Sequence, residues 1–228
     1  MGSSALRSLV IVGAGGFGRE VLDIVEAINR VEPTWRVLGF LDDDIASAKG
    51  PLERRGAPLL GPVEALSDFD ACYVIGIGDG AARRRVDLVA RELGLEAATL
   101  VHPSATLGSD LRIAPGAVIA AGARVTTNVT IGRHFHLNLN ATVGHDCVIG
   151  DYVTVNPSVN ISGNVRIGTG SVLGSHVAVI PGVTVGEWVV VGAGAVVIRD
   201  LPPGSTAVGV PARPISERRS TSPEGGDR

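Results

Sequence analysis

From Leu107 to Val197 every sixth residue of this chain is aliphatic, sixteen positions without a break, running through Ile113, Ile119, Val125, Ile131, Leu137, Val143 and Ile149 and on to Val191. An α-helix repeats its face roughly every 3.6 residues and a strand every two, so neither accounts for a strict period of six. A backbone that turns one corner per six residues does. Three flat sides then close a triangular coil of eighteen residues with the aliphatic side chains inward, and successive coils stack into a solenoid of a little over five turns. Stacking on that scale buries a continuous core that no single coil could.

Two lesser repeats agree. Four places after each aliphatic residue comes another small or apolar one, among them Ala117, Ala123, Val129, Ala141, Cys147, Val153 and Ala195, placed to pack beside the first set. Directly after the aliphatic, Gly or Asn recurs, as at Gly108, Gly132, Asn138, Gly144, Gly150 and Gly168. These residue types tolerate positive φ, so the expectation is that they form the tight corners.

The 228 residues are 45% hydrophobic but only 4% aromatic, which suits a narrow interior filled by Val, Ile, Leu and Ala. A net charge of −3 and a pI near 5.9 give no basic face, which argues against a nucleic-acid partner. Cys72 and Cys147 lie far apart in different regions, so a reducing cytoplasm is expected rather than a disulfide scaffold. The apolar run at the start is far too short to cross a membrane and reads as a buried strand, with no membrane-spanning or secretory segment. From Glu217 onward the chain is polar and aperiodic, which predicts a disordered tail.

Residues 1–100 follow other rules. Ser8–Val12 reads as a strand, Gly13-Ala14-Gly15-Gly16-Phe17-Gly18 as a turn, and Arg19–Arg30 as a helix with Val21, Leu22, Ile24, Val25 and Ile28 in phase. Further strands are expected at Val37–Leu41 and Cys72–Ile77 and a helix at Ala81–Leu93, with 45–62 as a surface excursion. Alternation of this kind makes a small, Rossmann-like parallel sheet. The organisation is thus an α/β subdomain over 1–100, the hexapeptide-repeat β-solenoid over 101–201, and a C-terminal extension over 202–228. The glycine turn brings backbone amides and a helix N-terminus toward an anion such as a diphosphate. Asp42 and Asp43, at the end of the next strand, can accept hydrogen bonds from a ribose hydroxyl or a base N–H.

Of the five histidines, His145 is the most informative. It falls two places after the inward Val143, on the outer aspect of the coil, and Asp146 follows directly. An aspartate there can orient the imidazole as a general base, provided the backbone turns between the two, since neighbours on a flat strand point to opposite faces. Metal binding is the competing use. His136 and His145 are nine residues apart, half a coil, and His134 with His136 makes a pair rather than a zinc triad, so no metal site is expected. Cys147, inward by phase, is a poor nucleophile.

The stretch Gly144 to Gly150, the run Asn160 to Gly168, the ending Gly209-Val210-Pro211-Ala212-Arg213-Pro214, the glycine turn and Phe40-Leu41-Asp42-Asp43-Asp44 together resemble the hexapeptide-repeat acyltransferases with a left-handed parallel β-helix. They are most similar to the sugar-modifying branch of sialic acid O-acetyltransferases and bacillosamine and perosamine N-acetyltransferases. The resemblance spans residues 8 to 215. It implies acetyl-CoA as cosubstrate, a nucleotide-linked sugar as acceptor, and a homotrimer with sites at the seams between subunits. It also implies His145 as base with Asp146 as its acidic partner, and Asn138 near the acceptor sugar. Gly13, Gly15 and Gly16 with Asp42 and Asp43 would hold the nucleotide, and Gly163 with Gly192, Ala193 and Gly194 would line the pantetheine arm. Many relatives carry His where this chain has Phe17, which leaves open an enzyme that acetylates a free small molecule. A metal-dependent hydratase and a noncatalytic assembly module use the same scaffold and stay as alternatives, as does O- in place of N-acetylation.

Overall fold

In a computed structural model that describes residues 5–217, the six-residue period builds a three-sided parallel β-helix. Its strands, mostly two residues long, form sheets of five, six and eight strands, and each pairs with the strand eighteen residues on, as Thr142–Val143 does with Asn160–Ile161. The six-stranded side runs from Thr106–Leu107 through Thr142–Val143 to Val196–Val197, and the five-stranded side from Leu111–Ile113 through Val148–Ile149 to Thr184–Val185. The eight-stranded side starts at Leu100–Val101, includes His136–Leu137 and Thr154–Val155, and ends in the antiparallel pair Ser205–Val208 and Arg213–Glu217. The disordered tail expected beyond that pair lies outside the described residues.

From Ile119 to Val197 every hexad aliphatic is at most 2% exposed, and the second set, Ala141, Cys147 and Val153 among them, is buried with it. The corners differ from expectation. Positive φ falls three places after the aliphatic, at Asp110, Asn128, His134, Asn140, Asp146, Tyr152, Ser158, Asn164, His176 and Trp188, with glycine at the other such positions. From Asn128 to Gly194 each left-handed corner residue is held by its own N–H, which donates to a carbonyl of the preceding coil: Asp146 to that of Thr127, Asn164 to that of His145. Forcing a residue left-handed costs about 1–2 kcal/mol in general, with Asn and Asp, whose short polar side chains bond locally, the best tolerated after glycine. Burying a Val, Leu or Ile side chain returns about 1.5–3 kcal/mol, and most hexads bury two apolar groups.

The glycines directly after the aliphatics serve close approach instead. A Cβ on Gly150 would lie 2.6 Å from the Thr169 nitrogen, and one on Gly144 2.6 Å from the Gly163 nitrogen, so the next coil could not seat.

The N-terminal unit is a parallel sheet of order β3-β2-β1-β4, with β1 at Arg7–Val12, β2 at Trp35–Leu41, β3 at Leu59–Gly61 and β4 at Cys72–Ile75. Helix α1, Gly16–Val31, begins inside the glycine turn rather than after it. The expected excursion at 45–62 is instead helix α2, Ile45–Arg55, followed by β3. Gly50 and Pro51 obscure the helix in the sequence, but Asp44 caps it by accepting from the Ser47 N–H, Gly56 ends it left-handed, and Ala48 and Leu52 bury its inner face. Helix α3, Gly80–Glu92, follows β4.

Val21, Leu22 and Val25 of α1 pack with Leu100, Val118 and Ala120 on the eight-stranded side. Beside them α3 carries a buried polar junction to the corner between the five- and eight-stranded sides. The fully buried Arg83 donates to the carbonyls of Ile77, Gly78, Tyr152 and His134 and to the Thr154 hydroxyl. Burial pulls its guanidinium down to about 10, which leaves it charged at neutral pH. Asp87, equally buried, accepts from the hydroxyls of Tyr73 and Tyr152, from Arg133 and from His134 Nε2. Burial alone would raise the Asp87 carboxyl, but the donors from His134, Arg133 and Tyr152 outweigh it and hold the group well below the usual carboxylate range. Burial lowers His134 despite Asp87, so its ring is neutral and Nε2–H is the donor.

Two glycines separate the corner logic from the stacking logic. Gly150→Ala is expected to destabilise by about 1–3 kcal/mol through overpacking. Gly182→Asn, at φ +77° with open space around it, should leave the thermal midpoint nearly unchanged. Thermal unfolding followed by circular dichroism measures both, and equal losses would contradict the distinction.

Candidate active site

The turn on which the His145 reading depends is present. Asp146 is the left-handed corner residue at φ +61°, and this folds its carboxylate back so that Oδ2 lies 2.6 Å from His145 Nδ1. A carboxylate only accepts, so Nδ1 carries the proton and Nε2 presents its lone pair. The hydrogen bonds from His145 and from Asn128 hold the Asp146 carboxyl below its ordinary value. Asn128 reaches it from the preceding coil, its Nδ2 donating to Asp146 Oδ1 at 2.6 Å. Sequence reading missed Asn128, although it stands eighteen residues before Asp146 and the coil period was signal enough to find it.

The imidazole is 61% exposed on its side chain and lies against Gly163 of the following coil. A Cβ on Gly163 would sit 2.5 Å from both Cε1 and Nε2 of His145, so only glycine leaves the ring its place. The Gly163 N–H donates to no backbone acceptor among the described residues. Cys147 is buried, as its phase requires; burial raises its thiol, whose Sγ lies 3.2 Å from the Ser162 carbonyl.

The remaining candidates lie elsewhere on the chain. His145 and Gly163 occupy the vertex between the six- and five-stranded sides, which is the vertex opposite the eight-stranded side. Asn138, Gly192, Ala193 and Gly194 occupy the vertex between the eight- and six-stranded sides. Asn138 is buried there, and its Nδ2 donates to the Val155 carbonyl of the next coil. Gly192 faces the Val208 side chain, and Gly194 is a left-handed corner.

The glycine turn sits with the N-terminal unit on the eight-stranded side. Gly13 is left-handed at φ +98° and close against Gly76 and Ile77, while nothing stands within 4 Å of where a Cβ on Gly15 or Gly16 would be. Asp42 is drawn into the turn itself, accepting from the Ala14 N–H at 2.6 Å and the Asp44 N–H at 2.8 Å. Asp43 accepts from the Val63 N–H. Around them open two clefts, one of 380 Å³ bounded by Ala14, Gly15, Arg19, Asp42 and Ser47, the other of 280 Å³ with largely apolar walls including Val63, Ile77 and Val86 beside Asp43.

Phe17 packs against His136 in a tilted contact, ring centroids 4.5 Å apart, and both His134 and His136 are buried, so they do not form an outward pair. No group of three potential metal-ligating side chains occurs among the described residues. No helix among them is long and apolar enough to cross a membrane.

Residues 8–87 match the family model described as the PglD N-terminal domain. The chain is 33% identical over 124 residues to the UDP-N-acetylbacillosamine N-acetyltransferase of Bacillus subtilis (strain 168). That match takes in 51% of this chain and spans about half the length, 52%, of the curated relative. Among solved structures, the acetyltransferase domain of PglB from Neisseria gonorrhoeae FA1090, in complex with acetyl coenzyme A, is 32% identical with a TM-score of 0.84, covering 92% of this chain and 100% of that one. PerB from Caulobacter crescentus, in complex with CoA and GDP-perosamine, is likewise 32% identical at a TM-score of 0.84, covering 94% and 100%. With more than nine-tenths of its length matched at 32% identity, the chain belongs to the bacillosamine and perosamine N-acetyltransferase family, an α/β unit followed by a left-handed parallel β-helix of hexapeptide repeats.

Proposed function

We propose that this protein transfers an acetyl group from acetyl-CoA to the amino group of a nucleotide-linked sugar. The observation that carries the reading is the His145–Asp146 pair, an exposed imidazole with Nδ1 bound to a carboxylate and Nε2 open beside a bare glycine backbone. The acceptor nitrogen attacks the thioester carbonyl while Nε2 takes its proton, and Asp146 steadies the imidazolium. The tetrahedral intermediate then expels the CoA sulfur, which receives that proton. No covalent link to the protein forms. The Gly163 N–H is suited to donate a hydrogen bond to the carbonyl oxygen as negative charge develops on it. The relatives whose names specify sugar-nucleotide N-acetylation, and a relative bound to CoA together with GDP-perosamine, support amine over hydroxyl as acceptor.

The nucleotide is assigned to the clefts beside the turn of Gly13, Gly15 and Gly16, where Asp42 both shapes the turn and borders one cleft and Asp43 borders the other. Gly192, Ala193 and Gly194 are assigned to the pantetheine arm, with Asn138 fixing the same corner. Because the glycine turn and His145 stand on opposite sides of one solenoid, a sugar held by the first reaches the second most directly in a neighbouring copy. A cyclic homotrimer brings these surfaces together at each seam. The two free cysteines accord with a reducing cytoplasm.

Two results are expected. His145→Ala and Gly15→Glu, the latter filling the open cleft, should each lose about 10²-fold or more in kcat/KM as separate proteins. Mixed and allowed to exchange subunits, they should recover about one quarter of native activity, since one site in four then pairs an intact turn with an intact histidine across a seam. A mixture no better than its parents would contradict a shared site. Gly163→Ala should keep its fold but lose about 10²-fold in kcat by displacing the imidazole. Steady-state acetyl-CoA consumption reads both, and native turnover by the Gly163 variant would remove the packing reason for that glycine.

A further inference from the structure

We infer that Asn128 is a positioning residue for the acetyl transfer, one that sets the orientation of Asp146 and through it the tautomer and aim of His145. The inference rests on the general-base reading of His145 and names a residue that the reading does not require. Asp146 is exposed at the outer edge of a corner, where a carboxylate is free to rotate about χ2 and to turn either oxygen toward water. Two contacts of 2.6 Å remove that freedom, Asn128 Nδ2 on Oδ1 and His145 Nδ1 on Oδ2. With Oδ1 held from the coil before, Oδ2 stays where Nδ1–H can use it.

Asn128 is itself well anchored. It is the left-handed residue of its own corner at φ +55°, and its N–H donates to the Ser109 carbonyl one coil earlier. Beside it Thr127 donates through its hydroxyl to the same carbonyl and accepts Asp146 N–H on its own carbonyl, so the coil beneath the pair is a fixed platform. The amide at 128 has a chemical consequence that a carboxylate at the same corner would not. It donates to Asp146, whereas an aspartate could only accept and would set two negative charges in contact.

The left-handed backbone at 128 permits a clean test, because glycine keeps that conformation and removes only the amide. Asn128→Gly should keep the native thermal midpoint and the native KM for acetyl-CoA while kcat falls about tenfold, a misaimed base rather than a damaged scaffold. Asn128→Asp, which also tolerates a left-handed corner, should lose more in kcat than the glycine variant despite being closer to asparagine in shape. His145→Ala is measured alongside. If it is inactive while Asn128→Gly turns over at the native rate, the positioning role is refuted and the base remains. If His145→Ala is itself active, the base reading falls first.

Discussion

The eighteen-residue register between coils is the constraint on which the rest of this molecule depends. Every strand is only two or three residues long through most of the solenoid and has no stability of its own. It exists because the backbone above and below supplies its hydrogen bonds, and the same register lays residue i directly over residue i+18. That geometry decides which chemistry can occur. It seats the His145 ring on Gly163 and ties Asp146 to Asn128, and one place off that register it brings the Thr169 backbone against Gly150. A site on such a scaffold is a column rather than a loop, so its parts are held to the precision of the stacking.

The second constraint is the junction. Arg83 and Asp87 on α3 are fully buried, and both are satisfied almost wholly by groups on the solenoid and on β4 and the loop that follows it. Uncompensated, each buried charge would cost several kcal/mol, so poses of the N-terminal unit that leave Arg83 or Asp87 without these partners are disfavoured. In the docked pose the glycine turn faces away from the vertex that carries His145. That placement is what favours the proposed site shared between neighbouring copies.

Much of this was legible in the sequence, because a period is a global property that survives local noise. The inward phase named Cys147 and the core correctly, and the same phase separated His145 from the packing. Asp146 was a conditional reading, since a flat strand would have sent it away from His145; the left-handed corner that rescues it falls three places after the aliphatic, where no single residue type marks it. Asp, Asn, His, Tyr, Ser and Trp all occupy such corners here, each held by an intercoil hydrogen bond. The glycines after the aliphatics were visible, but their purpose was not, because steric approach between coils leaves no trace in a one-dimensional pattern. Helix α2 was hidden by Gly50 and Pro51, and its evidence is tertiary: the buried faces of Ala48 and Leu52. His134 and His136 alternate in the sequence, too few for a metal triad, and nothing in that spacing told that both are interior groups where the N-terminal unit meets the solenoid, His134 bound to Asp87.

The proposed work of this base, carboxylate and glycine column is acetyl transfer to an amino sugar carried on a nucleotide. Its most direct test is the initial rate of CoA thiol release by the native protein from acetyl-CoA, measured against UDP-, GDP- and dTDP-linked amino sugars and their hydroxyl counterparts. Turnover confined to an amino sugar on one nucleotide is the expected result. No release of thiol with any amino-sugar nucleotide, or equal release with the hydroxyl counterparts, would contradict the account.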